Sequence, residues 1–405
     1  MDYSLEHHRS YIGKAISELP TPSLVLSLPR IKDNIARLHR DVEDMGIGFR
    51  AHVKTLKSTE VTKLMLSNGR YRAVVASTLA EIRGLVPLAQ DGFLDECLYG
   101  LPVYRSVLPH LHALSKSMKI LLMIDNEQHI DLLEAFATSH ESETPPIWDA
   151  FIKVDVGSRR AGVQVSEARL KHLVQRAEAS TAVNVFGFYA HAGHSYASRN
   201  EEDAATVLHQ ELRGVLEAAS LLPHERKVVV SIGSTPTAHV VRTLKTTLPS
   251  NISLELHAGN FPANDLQQVG TGLVTEAQQA VRLCAEVCSV YPERNEAIVN
   301  AGVVALSRET GPLPGFAIVA GRPNWAVVRL SQEHGILGLI EAPRAFLTKG
   351  SGDSAEAQVG EIFKVGDQVL LYCQHACITA AAFHVYYVVD EHDVVVDTWV
   401  PWKGW

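Results

Sequence analysis

A lysine lies at the end of an apolar run near the start of the chain, where a charged side chain is unusual. The run is residues 49–53, Phe-Arg-Ala-His-Val, and Lys54 follows it directly. Burial of an unpaired ammonium group is unfavourable and lowers its pKa towards neutrality. A neutral amine is the nucleophile that Schiff-base chemistry requires. Lys54 is therefore a candidate for covalent catalysis; the alternative is a lysine whose ammonium group reaches solvent from a strand end.

Three later loops also place polar side chains directly after apolar runs. Residues 155–162 hold two glycines and two arginines, and residues 190–196 hold two histidines and a tyrosine. Residues 231–237, Ser-Ile-Gly-Ser-Thr-Pro-Thr, place hydroxyl groups around a glycine before a predicted helix. Backbone N–H groups at a helix N-terminus together with Ser and Thr hydroxyls bind phosphate. Each loop alone is weak support, but loops that share one face of a barrel would form a single site.

A histidine and a cysteine lie two residues apart near the C-terminus, in the segment Cys-Gln-His-Ala-Cys that contains His375 and Cys377. The segment follows an apolar run, and residues two apart point to the same side of an extended chain. Imidazole and thiolate together suit zinc, and two protein ligands would leave coordination positions open for water or substrate. The alternative is a core cysteine beside a hydrogen-bonded histidine. Cys284 and Cys288 lie in an apolar run without a nearby histidine, and we interpret them as core residues.

The elements that must position these residues are nine apolar runs separated by segments with helical periodicity. Near-continuous apolar strands that alternate with helices indicate a parallel sheet covered on both faces. Eight or so such units over roughly 250 residues predict a (β/α)8 barrel, with chemistry at the carboxyl ends of its strands. A doubly wound open sheet is the alternative, but no Gly-x-Gly-x-x-Gly sequence follows the first run. The runs are residues 24–27, 49–53, 71–76, 96–99, 119–125, 149–155, 185–189, 228–231 and 252–256.

The sequence changes character after about residue 276, where short strand-like runs alternate with turns rich in glycine, proline and asparagine. This pattern predicts a second, mainly antiparallel β domain. We therefore expect a barrel domain over residues 16–276 and a β domain over residues 277–405 that carries the metal ligands. The first ~15 residues carry no pattern that assigns them to one domain, and packing on the β domain is one option. Residues 349–354 are interpreted as a mobile loop. The predicted strands of the β domain are residues 281–291, 297–304, 325–329, 335–340, 368–372 and 385–389.

Composition indicates an ordinary globular protein and argues against several classes of function. The net charge of the 405 residues is −8, which argues against a nucleic-acid-binding surface. The first nine residues lack the apolar core of a secretory signal, and no apolar stretch approaches the ~20 residues that span a bilayer. Five scattered cysteines fit reduced thiols better than a disulfide framework. We therefore expect a cytoplasmic protein without membrane or nucleic-acid partners.

Taken in chain order, these motifs resemble those of one enzyme family over nearly the whole chain, from Thr21 to Trp405. The sequence is similar to the eukaryotic-type D-serine dehydratases and the low-specificity D-threonine aldolases. These are pyridoxal-phosphate enzymes that combine the alanine-racemase barrel with an added β domain. The ordered set of motifs is highly specific, although each motif alone is weak. The matching segments are residues 52–55, 155–162, 189–196, 233–237, 255–260, 332–335 and 375–377.

The resemblance implies a cofactor site, a metal site and a homodimer. Lys54 would carry pyridoxal 5′-phosphate through a covalent link. His375 and Cys377 would bind a catalytic zinc ion. In the homodimer, the β domain of one chain would lie near the barrel of its partner. The residues implied to surround the cofactor are Arg160 at the ring edge, Tyr189, His191 and Tyr196 along the cofactor and substrate pocket, and Gly233, Ser234 and Thr235 at the phosphate.

The reaction implied by the resemblance is β-elimination of D-serine to pyruvate and ammonia. Lys54 would remove the Cα proton, and the β-hydroxyl, a poor leaving group, would depart with Lewis-acid help from zinc. A D-threonine aldolase and a D-threo-3-hydroxyaspartate dehydratase are alternatives on the same fold, and both act on D-3-hydroxyamino acids. The aldolases tend to carry a carboxylate where this chain has Cys377, which favours the dehydratase.

Two further alternatives concern the class of protein and the role of zinc. A non-catalytic pyridoxal-phosphate carrier would need neither the second domain nor its His-x-Cys pair. A purely structural zinc site would require four protein ligands, and the sequence does not offer a set with suitable spacing.

Overall fold

Helices and strands alternate through the first two thirds of the computed structural model, which describes residues 4–139, 146–245, 247–346 and 357–405. Contacts divide the chain into two units, and each is described by itself. The barrel unit contains residues 37–259 and 402–405, and the β unit contains the chain up to residue 36 and residues 260–401. The loop predicted over residues 349–354 lies outside the described residues.

The strands are β1 (Ser23–Ser27), β2 (Gly48–His52), β3 (Ala73–Ala76), β4 (Glu96–Pro102), β5 (Lys119–Ile124), β6 (Trp148–Val154), β7 (Val183–Ala190), β8 (Val228–Ile232), β9 (Ile252–Ala258), β10 (Val281–Tyr291), β11 (Glu296–Val299), β12 (Ala317–Val319), β13 (Arg322–Leu330), β14 (Gly335–Leu339), β15 (Gln368–Cys373), β16 (Tyr386–Val389) and β17 (Val395–Trp399). The helices are α1 (Leu5–Arg9), α2 (Leu28–Met45), α3 (Thr59–Met65), α4 (Leu79–Gln90), α5 (Leu108–Leu114), α6 (Glu127–Thr138), α7 (Ala168–Glu178), α8 (Glu201–Ala219), α9 (Thr235–Ala238), α10 (Leu266–Val269), α11 (Val303–Leu306), α12 (Val359–Ile362) and α13 (Ala376–Ala381). Short 3-10 turns span Ile16–Glu18, Ser67–Gly69, Arg105–Val107, Gly193–Ala197, Val241–Thr243, Glu276–Gln278, Pro292–Arg294 and Arg344–Phe346.

Eight parallel strands, β2 to β9, close into a barrel in chain order. Closure comes from the pairing of β9 with β2, in which Glu255 lies opposite Gly48. The strands are almost continuously buried, since helices cover the outside and side chains fill the interior. The predicted (β/α)8 barrel is therefore confirmed, and its carboxyl edge gathers the loops singled out in the sequence.

Polar residues start several helices that follow barrel strands. Ser58 and Thr78 accept hydrogen bonds from backbone N–H groups in the first turns of α3 and α4. Asn126 and Asn200 do the same for α6 and α8. Each cap satisfies a donor that the helix leaves unpaired, which typically stabilises the helix by about 1 kcal/mol. These caps fix where each loop ends, and therefore how much chain is available at the carboxyl edge.

The barrel interior contains a buried ionic group beside its apolar core. Arg50 on β2 is buried, and its Nε lies 2.7 Å from Glu255 Oε1. It also pairs with Glu96 on β4, and its guanidinium lies 5.5 Å from the centroid of the Phe151 ring. A buried arginine is tolerated only when its donors are paired, as here. This network links β2, β4 and β9 across the closure of the barrel.

The β unit contains a nine-stranded, mainly antiparallel sheet in the order β11-β14-β13-β12-β15-β10-β1-β16-β17, with a further pairing of β11 and β10. The predicted antiparallel β domain is confirmed. The predicted strand 297–304 runs too far, because residues 303–306 form helix α11. Strands β12 and β17 were not predicted.

The first apolar run does not belong to the barrel. Strand β1 pairs antiparallel with β10 and parallel with β16, both in the β unit. The predicted domain ranges of 16–276 and 277–405 consequently differ from the units of the structure, in which the β unit combines both ends of the chain. The N-terminal segment lies in the β unit as well, where the Nδ1 atom of His8 lies 2.7 Å from the Tyr387 hydroxyl. In the part of the chain that the structure describes, no helix combines the length and the apolar character needed to cross a membrane.

Candidate active site

Lys54 lies two residues beyond the end of β2, in the turn before α3. Its backbone N–H donates to His52 Nδ1 over 3.4 Å. The side chain is half-buried, so it is less enclosed than the apolar run before it suggested. Its amine therefore remains accessible at the carboxyl edge of the barrel, where it can contact a bound molecule.

Three cationic side chains, Lys54 after β2 and Lys153 and Arg160 on and after β6, lie near two histidines at this edge. Lys54, Lys153 and Arg160 all lower the pKa of His52 and His191, to which burial makes the largest contribution. Both imidazoles are consequently held neutral at physiological pH, because their pKa values lie well below the ordinary value. The cations repel one another, so a bound anion would stabilise the group. The structure thus brings Lys54, Arg160 and His191 together at one edge of the barrel.

Arg160 lies in a tightly wound loop after β6. Asp155 Oδ1 accepts from Gly157 N at 3.0 Å and from Arg159 N at 3.1 Å, which turns the chain back on itself. Gly162 closes the loop with φ of +104°, and its N–H donates to Asp125 Oδ2 over 2.8 Å. A Cβ at this glycine would lie 2.8 Å from Asp155 N, so the return path requires glycine.

His191 joins the loop after β7 to the loop after β8. Its Nδ1 lies 2.9 Å from the carbonyl oxygen of Gly233. A carbonyl only accepts hydrogen bonds, so Nδ1 carries the proton and Nε2 of the neutral ring is left as an acceptor. Tyr196 is half-buried in the 3-10 turn Gly193–Ala197 of the same loop.

Tyr189 lies near the end of β7 and stacks on His257 of β9. The ring centroids are 4.0 Å apart and the planes differ by 12°. Ser231 Oγ lies 2.9 Å from His257 Nδ1, and the buried Nε2 atom of this ring has no hydrogen-bond partner among the described residues. Burial raises the pKa of the Tyr189 phenol well above its ordinary value. The pair is a neutral aromatic stack buried in the barrel interior, with 4% of Tyr189 and 2% of His257 exposed.

Gly233, Ser234 and Thr235 form the turn between β8 and α9. Gly233 has φ of +141°, and a Cβ there would lie 2.2 Å from His257 O, so only glycine permits this close approach. Ser234 caps α9, its N–H donates to Thr237 Oγ1 at 2.9 Å, and its hydroxyl lies 2.7 Å from Ser195 Oγ. Helix α9 is a single turn, so hydroxyl and amide groups rather than a long helix dipole would bind a phosphate here.

His375 and Cys377 lie together in the β unit, at the start of α13. The prediction that both lie on one side of an extended strand was wrong, because His375 is the N-cap residue and Cys377 lies in the first turn of the helix. The two side chains nevertheless interact directly. In the described residues, no group of three or more His, Cys, Asp and Glu side chains is arranged to hold a metal. The pair therefore stands as a two-residue donor set.

Two carboxylates support this pair from the β unit. Glu309 Oε2 lies 3.3 Å from His375 Nδ1, which is the arrangement that orients a metal-binding imidazole through its other nitrogen. Asp265 is buried, and its Oδ2 accepts from Ala376 N at 2.8 Å, which fixes the start of α13. Burial lowers the pKa of His375, but Cys377, Asp265 and Glu309 together raise it to about 9. The surroundings of His375 therefore favour positive charge.

Both groups of residues fit the cofactor and the metal that the resemblance implies. The barrel edge offers an accessible amine, cationic side chains and a close-approach glycine turn, which together suit an aromatic aldehyde carrying a phosphate. The donor set of imidazole and thiol, with a carboxylate behind the imidazole, suits zinc.

Comparisons with known proteins agree with this chemistry. The family profile of the alanine racemase N-terminal domain matches residues 26–248, and that of the "Putative serine dehydratase domain" matches residues 280–389. The D-serine dehydratase of Schizosaccharomyces pombe is 43% identical over 99% of this chain and 95% of its own length. The chain belongs to the D-serine dehydratase family. It is accordingly a pyridoxal-phosphate-dependent lyase.

A second D-serine dehydratase and two solved structures are also similar to this chain. The D-serine dehydratase of Saccharomyces cerevisiae is 32% identical over 98% of both chains. A variant of D-threo-3-hydroxyaspartate dehydratase, with a histidine replaced by alanine, superposes with a TM-score of 0.82 at 27% identity and 99% coverage of both chains. A cysteine-to-alanine variant of that enzyme, solved in the metal-free form, superposes with a TM-score of 0.79 at 26% identity, covering 97% of this chain and 100% of its own.

Four residues of this D-serine dehydratase family member were missed in the sequence. Lys153 interrupts the apolar run of β6, a signal equal to that of Lys54. Glu211 interrupts the apolar face of α8 between Leu208 and Leu212, and both leucines are buried. Asp265 and Glu309 carry no comparable signal, because their contacts with the His375 segment join residues distant in sequence.

Proposed function

We propose that this chain converts D-serine to pyruvate and ammonia, with pyridoxal 5′-phosphate on Lys54 and a zinc ion on His375 and Cys377. The observation that carries the proposal is the environment of Lys54: an accessible amine at the carboxyl edge of the barrel, among cations and neutral histidines. This is the environment that an anionic aldehyde requires.

The cofactor would be held by residues of three barrel loops. Lys54 would bind it covalently, and residues 233–235 would bind its phosphate. The lowered pKa of His191 supports this assignment, because part of the shift comes from the positive charge of Arg160, Lys153 and Lys54, which would attract an anion to this edge. The residues proposed to line the ring and the substrate are Arg160, Tyr189, His191 and Tyr196.

The metal would be held by His375 and Cys377 in the β unit, with Glu309 orienting the imidazole through Nδ1. A variant of D-threo-3-hydroxyaspartate dehydratase supports this proposal. In that variant a cysteine is replaced by alanine, and the structure was solved in the metal-free form. The histidine and the cysteine replaced in the two solved variants are two residues apart, which is the spacing of His375 and Cys377.

When bound, pyridoxal phosphate supplies an electron sink for the charge released at Cα, and zinc supplies a Lewis acid for the departing hydroxyl. Lys54 Nζ would take the Cα proton of the substrate. The β-hydroxyl and a proton would leave together as water, and hydrolysis of the released enamine would then consume one water and give pyruvate and ammonia. The net change is therefore D-serine to pyruvate and ammonia, without an oxidant or a reductant.

A D-threo-3-hydroxyaspartate dehydratase is the second candidate, because the solved structures of that enzyme cover nearly the whole chain. A D-threonine aldolase remains the third. We also propose that the enzyme is a cytoplasmic homodimer, which light scattering on the purified protein would test for its oligomeric state.

The assignment of Lys54 is tested by reduction of the cofactor-loaded protein with borohydride, followed by peptide mass spectrometry. We expect one phosphopyridoxyl group on Lys54. Lys153 is the alternative amine at this face, but its side chain is only 5% exposed. The Lys54→Ala variant should carry no label, whereas the control Lys63→Ala should be labelled like the parent. A label on Lys153 in the parent protein would overturn the assignment.

A further inference from the structure

Glu211 is a fully buried carboxyl group on the face of α8 that packs against β7 and β8. Its neighbours on that helix face, Leu208, Leu212 and Val215, are buried as well. Removing a carboxyl group from water is unfavourable unless hydrogen-bond donors replace the water. The hydrogen-bond donors around the Glu211 carboxyl group therefore indicate the role of this residue.

Those donors come from the loops after β7 and β8. Ala192 N donates to Glu211 Oε1 over 2.7 Å. The Thr237 hydroxyl and the Gly233 N–H also interact with the carboxyl group and favour its charged form. Burial opposes them and raises the pKa of Glu211 to about 7. One side chain on a helix thus contacts the loop that carries His191 and the loop that carries residues 233–235.

The two loops make further contacts with each other in the same region. Thr237 Oγ1 lies 3.0 Å from Ser234 Oγ, which in turn lies 2.7 Å from Ser195 Oγ. His191 Nδ1 donates to Gly233 O. Glu211 is the acidic member of this buried network, and it interacts with Thr237, whose hydroxyl also accepts a hydrogen bond from Ser234 N.

We propose that Glu211 is a positioning residue for the cofactor phosphate: it holds the Gly233–Thr237 turn against the His191 loop, in the conformation that receives the phosphate. The inference rests on the proposed function, since it takes residues 233–235 as the phosphate site. Glu211 contacts no reacting group in this account and acts only through the two loops.

Glu211 could shape the phosphate turn or only pack α8 on the barrel, and these two roles predict different effects on ligand binding. A residue that only packs α8 on the barrel would affect every ligand of the barrel to the same extent. A residue that shapes the phosphate turn would affect pyridoxal phosphate but not pyridoxal, which has the same ring and aldehyde and lacks the phosphate. Affinities for these two compounds are therefore the readout, and they do not depend on turnover.

The experiment titrates the full-length, cofactor-stripped protein with pyridoxal phosphate and, separately, with pyridoxal, and follows absorbance of the bound ring. Loss of one hydrogen bond to a charged group corresponds to roughly a 10- to 100-fold change in affinity. We expect Glu211→Ala to weaken pyridoxal phosphate binding by about that factor, and to change pyridoxal binding by less than about 2-fold. Glu211→Gln keeps an acceptor for Ala192 N and should lose less.

Two further variants keep the test decisive. Thr237→Val removes the hydroxyl link and should shift the same ratio of affinities, even if Glu211→Ala does not fold. Glu217→Gln changes an exposed carboxylate on the same helix and should leave both affinities unchanged. An equal loss of affinity for pyridoxal phosphate and for pyridoxal would overturn the proposal. Unchanged affinity for both compounds in Glu211→Gln and Thr237→Val would overturn it as well. A parent protein that binds neither compound would instead overturn the proposed function.

Discussion

Lys153 holds its Nζ atom 4.4 Å from the centroid of the Tyr189 ring, inside the carboxyl end of the barrel. Burial is the main reason why the pKa of Lys153 is lowered to about 7, and Arg160 lowers it further, whereas nearby carboxylates oppose the shift. The barrel therefore contains two amines near the proposed cofactor, an accessible one on Lys54 and an enclosed one on Lys153.

The first prediction concerns the pH dependence of unfolding. Lys153 has a pKa of about 7 in the folded protein and an ordinary lysine pKa near 10.4 when unfolded. Between these values the unfolded chain binds more protons, so the free energy of unfolding rises with pH, by at most about 1.4 kcal/mol per unit. Lys153→Met removes this contribution. We expect the stability of the parent relative to this variant, measured by urea denaturation of the cofactor-free protein, to increase between about pH 7 and pH 10.

Lys171→Met, which changes an exposed lysine on α7, is the control and should show no such trend. A difference between parent and Lys153→Met that stays constant with pH would mean that Lys153 is hydrated in solution.

The second prediction concerns the turn at Gly233. An added Cβ would lie 2.2 Å from His257 O, and φ of +141° is unfavourable for any other residue. Gly233→Ala should therefore displace the turn and weaken pyridoxal phosphate binding by at least about 10-fold, which corresponds to about 1.4 kcal/mol. Gly360→Ala is the control, since nothing lies within 4 Å of a Cβ there. Equal cofactor affinity in Gly233→Ala and the parent would remove this turn from the cofactor site.

The third prediction concerns the C-terminal tail within the barrel unit. A Cβ at Gly84 of α4 would lie 2.3 Å from the Trp402 ring, and Trp402 N donates to Lys57 O at 2.6 Å. Alanine in place of glycine usually stabilises a helix by about 1 kcal/mol, but overpacking costs about 1–3 kcal/mol. We expect Gly84→Ala to destabilise the parent and to stabilise the Trp402→Ala variant, as measured by urea denaturation. The same sign in both backgrounds would show that the tail does not occupy this position.

The fourth prediction concerns metal affinity. Glu309 lies 3.3 Å from His375 Nδ1 and would orient the imidazole of the proposed zinc site. Loss of such a partner typically weakens metal binding by roughly 10- to 100-fold. Glu309→Gln should therefore bind zinc more weakly in a competition assay with a chromogenic chelator, and Cys377→Ala more weakly still. Glu361→Gln, an exposed change on α12, should match the parent. Unchanged zinc affinity in Cys377→Ala would exclude the proposed site.

The sequence predicted the barrel because its signal is local: eight continuously apolar runs alternate with helices. It misassigned β1, since Ser-Leu-Val-Leu-Ser reads alike in either sheet and only its distant partners β10 and β16 decide its place. The site shows the same division. Lys54 and the Gly233 turn are visible as local patterns, whereas the roles of Glu211 and Asp265 depend on donors distant in the chain, such as Ala192 N and Ala376 N.

The most direct test of the account is an assay of the purified protein with D-serine, L-serine, D-threonine and D-threo-3-hydroxyaspartate, with and without a chelator. We expect keto acid from D-serine and none from L-serine, with the activity lost on chelation and restored by zinc. Keto acid from D-threo-3-hydroxyaspartate in preference to D-serine would assign the second candidate function. Glycine from D-threonine without keto acid from D-serine, or full turnover of D-serine after complete removal of metal, would contradict the account.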